Sequence, residues 1–198
     1  CWGDNEYNQT DVPSGLNFAS ISAGETHTCG LTRGGTAHCW GNNKHGRCNV
    51  PSGMTFRSLS AGGEHTCGIT KAGTAHCWGA NFLGQLELPA WDGGMFAKIS
   101  AGATHTCSLD IDGHADCSGD DQFGMSSVPP PGHFTDISAG HAHTCAIDLL
   151  GQGWCWGRGF EGQTRVPSRF VAPSPPPGTP PAPPAPPPAP PAPPLSPP

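Results

Sequence analysis

The side chains of this chain that could do chemistry are its ten cysteines and ten histidines, and most of them recur in one phrase. "SAGETHTCGLTRGGTAHCWGNN", residues 22–43, sets Cys29 and Cys39 ten positions apart, each with a histidine (His27, His38) just before it and glycines between them. The phrase returns at Ser60, Ser100 and Ser138, which gives the pairs Cys67 and Cys77, Cys107 and Cys117, and Cys145 and Cys155. Thiolates with imidazoles could hold zinc, and thiols alone could close disulfides. Structural zinc sites usually draw two cysteines from a Cys-x2–4-Cys knuckle, and no pair here has that spacing.

The turn between the cysteines favours the disulfide. Arg33, Gly34 and Gly35 form a three-residue hairpin loop whose last position needs a left-handed backbone, and Gly73, Gly113 and Gly151 stand there in the other copies. Counting outward pairs Thr32 with Thr36 and sets Cys29 opposite Cys39 on adjacent antiparallel strands. The expectation is therefore Cys29–Cys39, Cys67–Cys77, Cys107–Cys117 and Cys145–Cys155 as disulfides, with no metal and no cofactor. Each such loop would stabilise the fold by roughly 2.5–3 kcal/mol on the chain-entropy account. Cys1 and Cys48 are left over and are expected to pair with each other, an intermolecular bond from either being the rival.

His27, His65, His105 and His143 keep step with the repeat, which predicts a repeated structural hydrogen bond rather than catalysis. His38 and His76 do not, since Asp116 and Trp154 replace them. "DIDG", Asp110 to Gly113, looks like the start of a calcium loop but occupies the hairpin turn. Trp2, Trp40, Trp78 and Trp156 each follow the second cysteine position, with Ser118 as the exception, and are expected to pack between layers. A later turn runs from Gly41 to Gly46, Gly79 to Gly84, Gly119 to Gly124 and Gly157 to Gly162. Asn8 holds the closing place in the first residues, where a left-handed backbone is again expected.

These residues must be positioned by a repeat, because the phrase starts are separated by 38, 40 and 38 residues. The organisation expected is a partial repeat over 1–18, four units over 19–170 (19–56, 57–96, 97–134, 135–170) and a proline-rich segment over 171–198. Leu, Ile, Val and Phe make up 29 of 198 residues, about 15%, too few for a conventional core. A weakly apolar chain with regularly paired cysteines points to a secreted disulfide framework. The formal charge is −6, with 9 Lys and Arg and no basic run, so neither nucleic acid nor membrane is an expected partner. No stretch matches a transmembrane helix or a signal peptide. A secreted chain requires such a signal, so the sequence is expected to be a processed product or a fragment.

From Val171 to Pro198 there are 17 prolines in 28 residues and no charged side chain. Proline fixes φ and lacks an amide donor, so polyproline II is expected, with a reach of roughly 90 Å if straight. A plain disordered linker is the competing reading.

The phrases "ISAGETHTCGLTRGGTAHCWGNNKHG" and its copies resemble the repeats of the regulator-of-chromosome-condensation superfamily, especially the short secreted type with His-Thr-Cys and Cys-Trp-Gly. The resemblance covers about residues 1–170. It implies an all-β fold, a β-propeller-like array with one small antiparallel sheet per repeat, as a small ring or an open arc. The superfamily's exchange-factor and chromatin roles do not carry over to an acidic, cysteine-paired chain. The proline-rich segment is similar to the hydroxyproline-rich glycoproteins of green-algal walls and flagellar surfaces, including mastigoneme proteins. That similarity implies hydroxylated, O-glycosylated prolines, most densely at Pro180, Pro181, Pro183, Pro184, Pro186, Pro187, Pro188, Pro190, Pro191, Pro193 and Pro194. Asn8-Gln9-Thr10 adds an N-glycan acceptor at Asn8.

Three functions come into question as expectations. The first is an extracellular structural glycoprotein of a cell wall, matrix or flagellar surface, associating head to tail into filaments through incomplete edges, with residues 171–198 as a strut. The second is a secreted propeller binding module or protein inhibitor, with "LELPAWDGG" as a contact loop and Trp91 as its anchor. The third, an enzyme, is not expected, since no nucleophile elbow, phosphate loop or carboxylate pair stands outside the repeat register.

Overall fold

Six-residue runs such as FASISA and HTCGLT, bounded by glycine turns, are strand-forming sequence. In the computed structural model, which describes residues 1–91, 94–130 and 132–167, they form four antiparallel three-stranded sheets, one per repeat. The first holds β1 (Phe18–Ala23), β2 (His27–Thr32) and β3 (Ala37–Gly41); the second β4 (Phe56–Ala61), β5 (His65–Thr70) and β6 (Ala75–Gly79). The third holds β7 (Phe96–Ala101), β8 (His105–Asp110) and β9 (Ala115–Gly119); the fourth β10 (Phe134–Ala139), β11 (His143–Asp148) and β12 (Gly153–Gly157). Strand order within each sheet is sequential. Among the described residues the one helical element is a 3-10 turn at Lys44–Gly46. None of the described helices is long and apolar enough to cross a membrane.

The hairpin between the second and third strands of each sheet closes as the turn chemistry requires. Gly35, Gly73, Gly113 and Gly151 have φ of 90, 90, 88 and 80°, and Thr32 donates its N–H to Thr36 O at 3.0 Å. That register opposes the cysteines of every pair. All four disulfides are formed, with Cα atoms 4.0–4.1 Å apart. Each first strand carries an irregularity just after its opening Phe. That Phe belongs to the sheet it opens, so the sheets begin at Phe18, Phe56, Phe96 and Phe134, one residue before the unit starts at 19, 57, 97 and 135.

Consecutive sheets pack face to face in a propeller-like array, and the C-terminal ends of all four first strands line one opening. Small clusters fill the spaces between sheets, one of Leu31, Ala37, Phe56 and Trp78, another of Leu109, Phe134, Ile137 and Ala146. Across the opening Glu25 and His141, both exposed, approach to 3.6 Å.

Two expectations need correction, both in or beside the partial repeat. Residues 1–17 form turns and no strand, because Cys1 to Gly3 have no hairpin partner among the described residues. Trp2 is consequently 94% exposed rather than packed. Cys1 and Cys48 are not joined: Cys1 matches Cys39 in the sequence of the repeat, whereas Cys48 lies beyond the Gly41–Gly46 turn. Cys48 is half-buried with its Sγ 3.5 Å from Asn42 O, and burial, partly offset by the Arg47 charge, raises its thiol pKa. Asn8 does take the left-handed backbone, at φ 60° on an exposed turn.

Candidate functional site: seams and an aromatic rim

The repeated phrase Ser-Ala-Gly-x-x-His-Thr-Cys is the wiring of the joints between sheets. Ser22 Oγ accepts the Ala61 N–H at 2.9 Å, and Ser60 and Ser100 do the same for Ala101 and Ala139. The glycines allow the strand ends to approach. A Cβ on Gly24 would stand 2.4 Å from Gly62 O and 2.7 Å from the His27 ring, and Gly62 and Gly102 are similarly confined.

Histidine and threonine complete each joint. His27 Nε2 lies 2.8 Å from Thr66 Oγ1, His65 from Thr106 and His105 from Thr144, all buried. Each threonine hydroxyl spends its proton on a carbonyl of the preceding connecting loop, Thr66 on Arg47 O, Thr106 on Gln85 O and Thr144 on Met125 O. It must therefore accept from the imidazole, which fixes the neutral Nε2–H tautomer. The Nδ1 atoms of these three histidines are left buried without a partner. A second proton would place a charge there with no acceptor. Burial accordingly lowers the pKa of His27, His65 and His105 to about 4, with the Arg47 charge adding to the effect on His27 and the neighbouring histidines to that on His65.

The tryptophans use the same carbonyls. Trp40, Trp78 and Trp156 donate their indole N–H to Gln9, Arg47 and Met125 O at 2.9–3.0 Å, and each packs on the Phe of its own sheet. In the third sheet the tryptophan position is Ser118, and the aromatic residue packed on the sheet's Phe is Trp91, its ring 4.8 Å from Phe96. Trp91 is half-buried; Asp92 and Gly93 of that loop lie outside the described residues.

Arg47 shows how a charge is kept in a joint. It is buried, donating from Nε to Lys44 O and from Nη1 to Thr26 Oγ1 and Gly63 O, while Nη2 reaches Glu64 at 3.3 Å.

The calcium-like "DIDG" is turn chemistry. Asp110 Oδ1 accepts the N–H groups of Asp112 and His114 at 2.9 Å, and Asp148 accepts those of Leu150 and Gln152 in the same way. Asp110, Asp112 and His114 do lie together, but as the cap of an exposed hairpin.

Exposed apolar side chains lie at Trp2, on the hairpin turns at Ile111, Leu149 and Leu150, and along a rim. The short turns after the third strands carry His45, Phe82, Leu83, Phe123 and Phe160, with Tyr7 at the matching place in the first residues. Phe82 and Phe160 are 71 and 78% exposed, and Tyr7, Leu83 and Phe123 are exposed as well. Neighbouring turns touch, with ring centroids 4.9 Å apart for His45 and Phe82 and 5.9 Å for Phe123 and Phe160, and Arg158 lies over Phe160. Sequence reasoning missed this rim, although an aromatic residue between two fixed glycines, repeated from turn to turn, was a readable signal. The prolines expected to carry glycans, Pro180 to Pro194, lie outside the described residues.

The comparisons agree with this architecture. The profile of the regulator of chromosome condensation (RCC1) repeat matches residues 18–47, 56–85, 96–124 and 134–163, more than half of the chain. Among solved structures, the ectodomain of the Physcomitrella patens receptor kinase CR4 is 29% identical over 78% of this chain and 45% of its own, with a TM-score of 0.65. The CRINKLY WD40 ectodomain of the Arabidopsis thaliana receptor kinase ACR4 is 28% identical over 74% and 52%, with a TM-score of 0.59. Yeast RCC1 (Prp20) bound to Kap60 is 20% identical over 75% and 45%, with a TM-score of 0.65, a likeness of fold alone. The chain thus spans about half the length of these structures. A search of curated proteins gives no match. By the repeats it is built from, the chain belongs to the regulator of chromosome condensation (RCC1) repeat family.

Proposed function

We propose that this chain is an extracellular binding module whose contact surface is the aromatic rim. The observation that carries the reading is the exposure of Phe82, Leu83, Phe123 and Phe160 on adjoining turns of a chain with so few large apolar residues. Such side chains are expensive to leave in water and are the type that anchors protein–protein contacts. Beneath the turns that carry His45, Phe82 and Phe123 the chain is tied to the next sheet through Arg47 O, Gln85 O and Met125 O, and Arg158 and Phe123 hold Phe160 against the third turn. Four disulfides support a secreted setting, and two of the similar structures are receptor-kinase ectodomains. The partner class is an extracellular protein with an apolar patch. No catalytic constellation is assigned, and the buried histidines are structural.

The test uses the chain as bait for secreted proteins of its source, beside a Phe82→Ser/Phe160→Ser bait with an unchanged circular dichroism spectrum. A partner held by the first and lost by the second is the expected result. Partners held equally by both baits would remove any role for the rim.

A second reading, a structural glycoprotein of a wall or filament, is favoured by one feature, the 17 prolines of residues 171–198. It requires glycans on Asn8 and on Pro180 to Pro194, so an intact mass equal to that of the bare sequence would end it.

A further inference from the structure

The three joints are succeeded by a face that repeats only their first half. At each joint an apolar residue late in the middle strand lies beneath the next sheet: Leu31, Ile69 and Leu109 are 5, 0 and 1% exposed, and the Phe residues that open the next sheets, Phe56, Phe96 and Phe134, are also buried. Leu31 shares its cluster with Phe56, and Leu109 with Phe134. The equivalent residue of the fourth sheet, Ile147, is 45% exposed. Among the described residues no further sheet meets it. Ser138 and His143, which stand where Ser100 and His105 hold the next sheet, likewise meet none. A cleft of about 440 Å³ opens over this face, floored by Ile137, Ala146, Ile147 and the Cys145–Cys155 disulfide, with Val166 and Pro167 on its rim.

The sequence shows which residue each earlier cleft of this kind receives. Val50-Pro51, Leu88-Pro89 and Val128-Pro129 lead to Phe56, Phe96 and Phe134, and Val166-Pro167 leads to Phe170. We propose that the cleft over the fourth sheet is a docking site for residues 168–172 of the same chain, with Phe170 in the seat that Phe56, Phe96 and Phe134 take at the other joints. Phe170 itself lies outside the described residues, but its anchor does not. Pro167 is on the rim, and three residues span about 10 Å at most. Val166 to Phe170 is two residues shorter than Val50 to Phe56, and the glycine at Gly53 has no counterpart in it.

The prolines beyond Ala172 limit the contact to one strand. Pro173, Pro175, Pro176 and Pro177 lack the amide donors that a new sheet would need. The segment therefore ends the array, covers its last apolar edge and starts the proline-rich run from a fixed point.

A second copy fits the cleft less well. Its Phe18 could face Ile147, but its residues 1–17 already place Gln9 O against Thr28 and Trp40 at 2.8 and 3.0 Å. At the internal joints that place is held by the connecting loop of the preceding sheet. Residues 158–167 of this chain and residues 1–17 of a docked copy would therefore compete for one position.

The test is a photo-cross-link in the full chain, with benzoylphenylalanine introduced at position 170. Cross-links within one chain to residues 136–153 are expected. In a parallel measurement, Phe170→Lys should raise hydrogen exchange in β10 and β11 by about tenfold or more while the first three sheets stay unchanged. Cross-links between two chains would assign the cleft to a second copy and overturn the proposal. So would cross-links that avoid this face, or exchange unaltered in Phe170→Lys.

Discussion

Acid should open the joints between sheets. His27, His65 and His105 are neutral in the fold, with pKa values lowered by burial to about 4 from an ordinary 6.5. In the unfolded chain they bind protons about 2.5 pH units earlier, so between pH 6.5 and 4 the unfolded state holds more protons than the folded one. Stability is then complete above about pH 6.5 and falls as the pH drops through that window. Each histidine accounts for roughly 3 kcal/mol when fully titrated, since one pKa unit corresponds to about 1.4 kcal/mol. The three positions act on one another, so their joint effect is not a plain multiple, but even two approach the 5–15 kcal/mol typical of a whole domain. The assay is guanidinium unfolding of the oxidised chain, monitored by circular dichroism from pH 8 to pH 4. The midpoint should be level above pH 7 and fall steeply below 6.5, and His65→Gln should flatten that fall. A midpoint constant from pH 7 to 4, or a His65→Gln profile parallel to the wild type, would refute the reasoning.

Other expectations arise from the same joints. Gly62→Ala sets a Cβ about as close to Gly102 O as Gly24 would to Gly62 O, 2.4 Å, and should cost about 1–3 kcal/mol in thermal or denaturant unfolding. Thr106→Val removes the acceptor of His65 and the donor to Gln85 O, and a loss of about 1–3 kcal/mol is expected in the same assay. Non-reducing peptide maps should show the four ten-residue pairs with Cys1 and Cys48 unjoined to each other, and the Cys67→Ala/Cys77→Ala chain should lose about 3 kcal/mol.

Local chemistry was legible wherever a turn dictated it. The glycine six residues after each first cysteine sets the hairpin, the hairpin sets the register, and the register opposes Cys29 to Cys39. Asn8 was placed by the same logic. The histidines were seen to keep step, but their partners were not visible, because Thr66 lies 39 residues from His27 and belongs to the next sheet. Residues that need a neighbouring sheet were misjudged for the same reason: Trp2 and Cys1 match the repeat in sequence but have no strand to join. Trp91 shows the converse, a residue outside the repeat register that packs on the Phe of a sheet lacking the repeat tryptophan.

Binding through the rim is tested most directly as an affinity. Once a partner has been retained by the wild-type chain, its affinity for that chain and for the Phe82→Ser/Phe160→Ser variant should be measured in solution. Loss of two anchoring aromatic residues predicts a dissociation constant at least about tenfold weaker, with folding unchanged. Equal affinities for the two chains would contradict the claim that this surface does the binding.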